Sequence, residues 1–273
     1  PIWLAQIRTP PGFPFGNPTC VMKLQNHLMG VLHMKNLILT TAALAVTAGM
    51  AMADGHAVVR MGTEGAYPPY NFINDAGEVD GFERELGDEL CLRAELTCEW
   101  VTNEWDSIIP NLVSGNYDTI IAGMSITDER DEVIDFTQNY TQPDPSSYLV
   151  ASADADITGG VIAAQTGTIQ ASFVAASGAT LVEFATPEET VAAVKNGEAD
   201  AVLADNAYLA PIADEDGDLQ LLDQKELIGG GVGMGLRESD GELKGKFDAA
   251  IQSMKDDGTL NVLIAKWEVG EQF

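Results

Sequence analysis

Arg130 is the residue whose type and setting suggest chemistry most directly. It is the only basic residue between Arg93 and Lys195. A guanidinium is a planar fork that binds a carboxylate through two parallel hydrogen bonds, which the point charge of a lysine does not reproduce. The acidic neighbours Glu129 and Asp131 offer an alternative, in which Arg130 forms an ion pair on the surface. The residue alone leaves both interpretations open.

The composition argues against several classes of protein. The chain has 273 residues, enough for one or two domains, and 42 acidic against 14 basic side chains give a net charge of −28. Nucleic acids and anionic membranes bind clustered Lys and Arg, so we expect neither as a partner. Two histidines, His27 and His33, lie near the N-terminus, which leaves His56 alone in the rest of the chain. Catalytic pairs with histidine and multi-histidine zinc sites are therefore disfavoured, and we expect neither metal nor cofactor.

The N-terminal region has the features of an export signal. A short positively charged segment at 34–36 precedes an uncharged, mainly apolar run at 37–50, and small residues follow at the positions that a signal peptidase reads. A buried core helix fits poorly with this position and composition. We therefore expect a signal peptide at 34–53, cleavage after Ala53 and a periplasmic location. Residues 1–33 are expected to be an extension that is untranslated or absent from the mature protein.

Cys91 and Cys98 form an even pair once Cys20, in the N-terminal extension, is set aside. Exported proteins fold in an oxidising compartment, where such a pair favours a disulfide bond. The first cysteine would end a helix and the second would begin the next strand, so a turn could bring them together. Two buried free thiols or a redox pair are the alternatives, although a redox pair more often has the spacing CxxC. We expect a structural disulfide.

The body of the chain alternates short apolar strands with helical patterns, which is typical of α/β folds. Predicted strands cover 58–62, 96–101, 117–122, 160–164, 180–184, 199–203 and 229–236, and predicted helices cover 82–94, 105–113, 168–176, 187–195, 242–256 and a final segment that ends at Trp267. The order indicates two βαβ halves. The acidic run at 214–218 lacks the glycine and glutamate of a calcium-binding loop, so we interpret it as an exposed loop.

A weak internal repeat relates the two halves. The segment LVSGNYDTIIAG from Leu112 aligns with VKNGEADAVLAD from Val194. In this register Gly123 and Asp205 are equivalent, and both lie at the carboxyl ends of corresponding strands. Open α/β sheets bind their ligands at these ends. Two such sheets that face each other would bring both positions into one cleft.

Longer motifs give a more specific signal. Residues 105–140 contain, in order, W-D-x-I-I-P-x-L, S-G-x-Y-D, A-G-M-S-I-T-x-E-R and I-D-F-T-x-x-Y. The segment GTEGAYPPYNF at 62–72, the Gly167-Thr168 turn and the C-terminal motifs G-M-G-L-R and D-G-T-L accompany them. Over residues 58–268 the chain resembles the periplasmic solute-binding proteins of ABC importers for polar amino acids. These are the bacterial extracellular solute-binding proteins of family 3, whose members bind lysine, arginine, ornithine, histidine or opines.

The resemblance implies an α/β fold of the two-lobed periplasmic binding protein type, type II. Each lobe would be a mixed sheet flanked by helices, and two hinge crossings would join the lobes. Residues 54–143 and 232–273 would form the first lobe, and residues 144–231 the second. Such a protein is not an enzyme. It would be a monomer that captures a free amino acid by hinge closure and delivers it to the membrane subunits of an ABC permease.

The resemblance also implies a set of ligand-binding residues. They are Glu64, Tyr67, Trp105, Gly123, Met124, Ser125, Arg130, Thr168, Gln170 and Asp205. Arg130 would bind the ligand carboxylate, helped by Ser125 and by the free N–H groups of the helix that begins at Thr168. Asp205 would bind the ligand ammonium together with the Gly123 carbonyl. Its alternative role is to cap the helix that follows.

Tyr67 and Trp105 would flank the side chain of the ligand, with Glu64 nearby. Two aromatic faces and a carboxylate favour a guanidinium or an ammonium group. We therefore expect a basic amino acid, arginine first, with ornithine, lysine, an opine or a polar neutral amino acid as alternatives. A secreted cyclohexadienyl or arogenate dehydratase on the same fold, with Glu64 as its acid or base, and a receptor sensory domain are the alternatives from other classes.

Overall fold

The computed structural model describes residues 58–273. The predicted extension at 1–33, the predicted signal peptide at 34–53 and the cleavage after Ala53 lie outside these residues. The strands are β1 (Val59–Thr63), β2 (Ala66–Tyr67), β3 (Asn71–Ile73), β4 (Val79–Asp80), β5 (Cys98–Thr102), β6 (Thr119–Ile120), β7 (Asp135–Phe136), β8 (Ser146–Val150), β9 (Val161–Gln165), β10 (Thr180–Phe184), β11 (Ala201–Asp205), β12 (Gln220–Glu226) and β13 (Gly235–Leu236). The α-helices are α1 (Phe82–Arg93), α2 (Ile108–Val113), α3 (Asp128–Asp131), α4 (Ile169–Ser177), α5 (Pro187–Lys195), α6 (Asn206–Glu215), α7 (Gly241–Asp256) and α8 (Thr259–Trp267), and short 3-10 helices cover Trp105–Ser107 and Glu238–Asp240.

Two five-stranded mixed sheets form the frame of the molecule. The first sheet has the strand order β5-β1-β6-β13-β7, and the second has the order β10-β9-β11-β8-β12. Three neighbouring strands of each sheet are parallel, and the other pairings are antiparallel. A third, small antiparallel sheet contains β2, β3 and β4. The predicted class, an α/β fold with two lobes that each hold a mixed sheet, is confirmed.

Helices flank both sheets. In the first lobe α1, α7 and α8 pack against one another, and in the second α4 and α5 pack on β9. Thr186 and Glu189 form a capping box at the start of α5 and Pro187 occupies its first turn, where the missing N–H needs no partner. Leu86 and Leu90 of α1 are completely buried, as their spacing on one helix face requires. Between residues 58 and 273 no helix is long and apolar enough to cross a bilayer.

The internal repeat corresponds to the sheet topology. The two aligned segments contain β6 and β11, and each of these strands lies parallel to the central strand of the three parallel strands in its sheet, β1 or β9. Gly123 follows β6 closely, and Asp205 is the last residue of β11. The two residues therefore lie at the carboxyl ends of equivalent parallel strands, which is where this class of sheet binds its ligands.

The predicted strand at 229–236 is largely wrong, because only β13 is formed there. Gly229 and Gly231 have φ angles of +85° and +91°, left-handed values that a strand does not contain. Val232 forms only isolated bridges, one to Ser125 and one to Thr141 in the other connection between the sheets. The glycines thus make an irregular crossing and not a continuous strand.

The predicted helix at 105–113 is divided in two. Residues Trp105–Ser107 form a 3-10 turn, and α2 begins at Ile108. The other predicted strands and helices begin and end within two residues of the observed ones.

Cys91 in α1 and Cys98 in β5 form a disulfide bond, with their Cα atoms 6.3 Å apart. The prediction of a structural disulfide is confirmed. The bond joins the end of α1 to the edge strand of the first sheet.

Two connections join the sheets, one from β7 to β8 and one from β12 to β13. The predicted lobe boundaries at 143/144 and 231/232 fall inside these connections. We use the names first lobe for residues 54–143 and 232–273, and second lobe for residues 144–231. The limits themselves stay a prediction.

Gly87 lies on the face of α1 that packs on the first sheet. A Cβ atom there would lie 2.8 Å from the Trp100 ring and 2.7 Å from the Met61 methyl group. We predict that Gly87→Ala lowers the free energy of unfolding by about 1–3 kcal/mol, because overpacking outweighs the higher helix propensity of alanine. Urea denaturation measures this change.

Gly245 in α7 provides the matched control, because a Cβ atom there would have no neighbour within 4 Å. Gly245→Ala should raise the free energy of unfolding by about 0.5–1 kcal/mol. A stabilising effect of both substitutions would contradict the close approach of α1 to the first sheet.

Candidate functional site

A small cavity, about 30 Å³ in volume, lies between the carboxyl ends of the two sheets. Its lining residues are Glu64, Tyr67, Trp105, Ala122, Gly123, Ser125, Arg130, Gln165, Thr168, Ile169, Gln170 and Asp205. All of the predicted ligand-binding residues are among them except Met124. The Met124 side chain is completely buried in the apolar core of the first lobe, so it contributes no surface to the cavity.

Arg130 extends into the cavity from α3. The Thr127 hydroxyl accepts a hydrogen bond from the backbone N–H of Arg130 and thereby caps this short helix. The guanidinium donates to the Ser125 carbonyl through Nη1 at 2.8 Å and to the Gly167 carbonyl through Nη2 at 3.2 Å. It also lies over the Trp105 ring, 5.4 Å from the centroid. Three contacts thus fix the position of the guanidinium.

The charge of Arg130 is not neutralised by a neighbour. Burial lowers the pKa of its guanidinium to about 10, against the raising effect of Asp205 and Glu129, so the group is a cation at neutral pH. Within residues 58–273 it forms no ion pair with a carboxylate. The alternative interpretation as a surface ion pair is therefore wrong, and the site holds a cation that suits an anionic group.

Asp205 supplies the opposite charge from the second lobe. Its carboxylate accepts hydrogen bonds from the Tyr67 hydroxyl at 2.8 Å and from Gln170 Nε2 at 2.9 Å. Burial raises the pKa of this carboxyl, while the bond from Tyr67, the charge of Arg130 and the bond from Gln170 lower it. Asp205 is the N-cap residue of α6, yet its side chain makes no capping bond. The alternative role as a side-chain cap is therefore wrong, and the carboxylate points to the cavity.

Tyr67 and Trp105 line the cavity as predicted, but both rings already pack against protein groups. Tyr67 stacks on Tyr208 with the ring centroids 4.5 Å apart and on Tyr70 with the centroids 6.0 Å apart, and the Arg130 guanidinium lies over Trp105. The Tyr67 hydroxyl also accepts a hydrogen bond from the backbone N–H of Asp205 at 3.2 Å. Tyr67 is therefore both an apolar wall and a polar link to the second lobe.

Glu64 follows β1 and faces Gln165, the last residue of β9. Gln165 Nε2 donates to Glu64 Oε1 at 2.6 Å. Burial raises the pKa of the Glu64 carboxyl to about 7, the bond from Gln165 opposes this shift, and the charges of Glu104 and Glu83 add to it. Gln165 is a functional candidate that the sequence analysis missed. Its position at the carboxyl end of a parallel strand, shortly before Gly167, could have identified it as a candidate binding residue from the sequence.

Thr168 lies at the cavity wall and is the N-cap residue of α4. Its hydroxyl accepts from the backbone N–H of Ala171 at 3.1 Å and donates to the Gln165 carbonyl at 2.7 Å. The hydroxyl is thus occupied by the helix, while the first-turn N–H groups of a helix lack partners within it. An anion near the start of α4 would be stabilised by these groups and by the helix dipole.

Three pairs of residues, joined by four hydrogen bonds, connect the first lobe to the second around the cavity. The bonds join Tyr67 to Asp205, Glu64 to Gln165, and Arg130 to the Gly167 carbonyl. One cation and two carboxylates surround the cavity, so the site can bind a molecule with one negative and one or two positive groups. In the described part of the chain, no cluster of His, Cys, Asp and Glu side chains could hold a metal ion.

Comparison with known proteins gives relatives of one kind. The family model of bacterial extracellular solute-binding proteins, family 3, matches residues 59–271. An octopine-binding periplasmic protein of Rhizobium meliloti is 31% identical over 83% of this chain and 95% of its own length. An L-arginine-binding protein of Pseudomonas aeruginosa is 34% identical over 73% of this chain and 83% of its own length.

Solved structures agree with this assignment. A periplasmic His/Glu/Gln/Arg/opine family-binding protein from Silicibacter pomeroyi, in complex with lysine, is 76% identical with a TM-score of 0.76, over 78% of this chain and 98% of that chain. These relatives are named for binding and not for catalysis. The cavity between two mixed sheets, its paired charges and the match over residues 59–271 lead to one assignment: the chain belongs to the bacterial extracellular solute-binding proteins, family 3.

Proposed function

We propose that this protein is the periplasmic substrate-binding subunit of an ABC importer and that it captures a free basic amino acid. The observation that carries the proposal is the pair of opposite charges at the cavity. Arg130 from the first lobe matches the carboxylate of an amino acid, and Asp205 from the second lobe matches its ammonium. A ligand with only one of these charges would leave either Arg130 or Asp205 without an oppositely charged partner in the cleft.

Three residues recognise the side chain in this proposal. Glu64 offers a carboxylate to a guanidinium or ammonium group, and the rings of Tyr67 and Trp105, which line the cavity, offer cation–π contacts. Relatives named for arginine and octopine, and the protein from Silicibacter pomeroyi in complex with lysine, support a basic ligand. Arginine is our first candidate because its planar guanidinium can both stack on an aromatic ring and form two parallel hydrogen bonds with a carboxylate.

Capture proceeds by hinge closure. The ligand contacts belong to both lobes, so they are complete only when the lobes meet, and the ligand selects the closed population by its higher affinity for it. Such a closed monomer would then dock on the membrane subunits of the permease.

No observation favours the dehydratase alternative, because both cavity carboxyl groups are held by neighbouring side chains, Glu64 by Gln165 and Asp205 by Tyr67 and Gln170. Glu64 is the cavity carboxyl with a pKa near neutrality, but it is bound to Gln165. A structure of an ancestral amino acid-binding protein, described as a precursor of cyclohexadienyl dehydratase, is 28% identical with a TM-score of 0.67, and it is named as a binding protein.

Isothermal titration of the purified protein, refolded to remove any retained ligand, tests the proposed ligand. We expect arginine to bind most tightly, followed by lysine and ornithine, with octopine, glutamine and glutamate weaker. Tight glutamine binding with arginine silent would contradict a basic ligand. As the matched variant, Arg130→Lys keeps the charge but loses the planar fork, and it should weaken arginine binding roughly 10- to 100-fold.

Small-angle scattering tests the hinge. Arginine should reduce the radius of gyration of the wild-type protein, and Asp205→Ala should abolish this compaction because the second lobe loses its ligand charge. Asp214→Ala, an exposed position on the same helix α6, is the control and should compact normally. Normal compaction of Asp205→Ala would contradict the assignment of Asp205 to the ammonium group.

The pKa of Glu64 predicts a pH dependence for basic ligands alone. A guanidinium binds the ionised carboxylate. At a pH below the Glu64 pKa of about 7, the Glu64 carboxyl must therefore lose its proton before a guanidinium can bind. Arginine affinity should then fall by up to about tenfold per pH unit. Citrulline has the same head group and a neutral side chain, so any titration of Asp205 affects both ligands equally.

The measured quantity is the ratio of arginine to citrulline affinity between about pH 8 and pH 5.5. It should fall about tenfold or more in the wild-type protein and stay constant in Glu64→Gln. A constant ratio in the wild-type protein would exclude Glu64 as the partner of the ligand side chain.

A further inference from the structure

Glu83 is a carboxylate that no part of the proposed site uses. It lies in the first turn of α1 and is completely buried. Three donors face its two oxygens: the Tyr140 hydroxyl and the Gly123 N–H at Oε1, the latter at 2.6 Å, and Asn71 Nδ2 at Oε2, at 2.7 Å. The ionised form accepts all three bonds, whereas a proton on Oε2 would face the NH₂ group of Asn71. Burial raises the pKa of this carboxyl, and the bonds from Tyr140, Gly123 and Asn71 oppose the shift.

The contacts of Glu83 lead to the cavity by two routes. The first ends at Gly123, a cavity residue with a φ of +61°. The second continues through Asn71, which is also completely buried and whose Oδ1 accepts from the Gly65 N–H at 2.7 Å. Gly65 follows Glu64 directly and has a φ of +74°. One buried carboxylate therefore holds the two glycine turns that carry cavity groups of the first lobe.

We propose that Glu83 is a positioning residue for the site. Its carboxylate orients the Asn71 amide, and this oriented relay fixes the Glu64-Gly65 turn and the Gly123 turn before any ligand arrives. The binding part of this proposal rests on the proposed function, and the structural part does not. Ligand recognition gains from such rigidity, because groups that are already in place lose less conformational entropy on binding.

The direction of the relay explains why an amide cannot replace the carboxylate. In Glu83→Gln the side chain has one acceptor oxygen and one NH₂ group. If the oxygen stays beside Gly123, the NH₂ group faces the NH₂ group of Asn71, and a flipped Asn71 then presents a donor to the Gly65 N–H. If the oxygen turns to Asn71, the Gly123 N–H loses its acceptor. Either arrangement leaves one buried turn N–H unpaired.

Combining Asn71→Asp with Glu83→Gln should restore every hydrogen bond of the relay, because it moves the negative charge from position 83 to position 71. In Asn71→Asp combined with Glu83→Gln, the new amide oxygen at position 83 would accept from Tyr140 and Gly123. The new NH₂ group would donate to one oxygen of the introduced carboxylate at position 71, and the other oxygen of that carboxylate would accept from Gly65. Asn71→Asp alone instead places two buried carboxylates face to face, which is unfavourable.

The experiment measures amide hydrogen exchange of Gly65 and Gly123 by NMR in ligand-free protein, together with arginine affinity by titration. In Glu83→Gln we expect at least one of the two amides to exchange about tenfold faster or more, and the Kd for arginine to rise about tenfold. The double variant should return both quantities to within about threefold of the wild-type values, as a strongly coupled pair does. Asp88→Asn, an exposed position on the same helix, should change neither.

Two results would overturn the proposal: unchanged exchange of both amides in Glu83→Gln, or a double variant no better than the worse single one. If Glu83→Gln does not fold, folding of the double variant supports the relay, and its failure to fold overturns it. If the wild-type protein binds no amino acid, the proposed function fails, while the exchange rates still decide whether the relay exists.

Discussion

The structure depends on placing one cation and one anion, from different lobes, around a common cavity. Arg130 and Asp205 are costly to bury alone, and the protein offsets that cost with hydrogen bonds that are internal to each lobe or cross between them. The carbonyls of Ser125 and Gly167 hold the guanidinium, and Tyr67 and Gln170 hold the carboxylate. Each charge is thus positioned by neutral groups, which leaves it free to pair with an opposite charge from outside the protein.

Sheet topology explains why these groups meet. Glu64, Gly123, Gln165 and Asp205 lie at or just after the carboxyl ends of four parallel strands, two from each sheet. Side chains at such ends are not covered by the helices that flank the sheet faces, so two facing sheets produce a polar cleft with apolar walls. The equivalent places of Gly123 and Asp205 show that both lobes use the same strand for this purpose.

Most of this arrangement was predictable from the sequence, and the predictions that failed did so for physical reasons. The strands and helices with clear periodicity were predicted correctly because local pattern determines them, whereas the binding roles of the site charges were predicted from the resemblance that the long motifs carry and stay a prediction. The two-residue strands β2, β4 and β7 were missed, since such short elements have no period and exist only through their partners. The longer elements β3, β8, β12, α3 and α6 were missed as well. The continuous strand predicted over 229–236 failed because positive φ at Gly229 and Gly231 depends on the crossing between sheets. Gln165 was missed because its cross-lobe bond to Glu64 has no trace in the sequence.

The order of the strands along the chain also governs how the molecule can assemble. Every strand of the second sheet comes from one uninterrupted stretch, 146–226, whereas the first sheet needs β13 and packs against α7 and α8, which follow that stretch. Contacts that are distant in sequence form late, because a long loop must close first. The inserted lobe can therefore reach its native topology while the discontinuous lobe still waits for its C-terminal segments, so the latter is where folding chaperones would find exposed apolar surface during biogenesis.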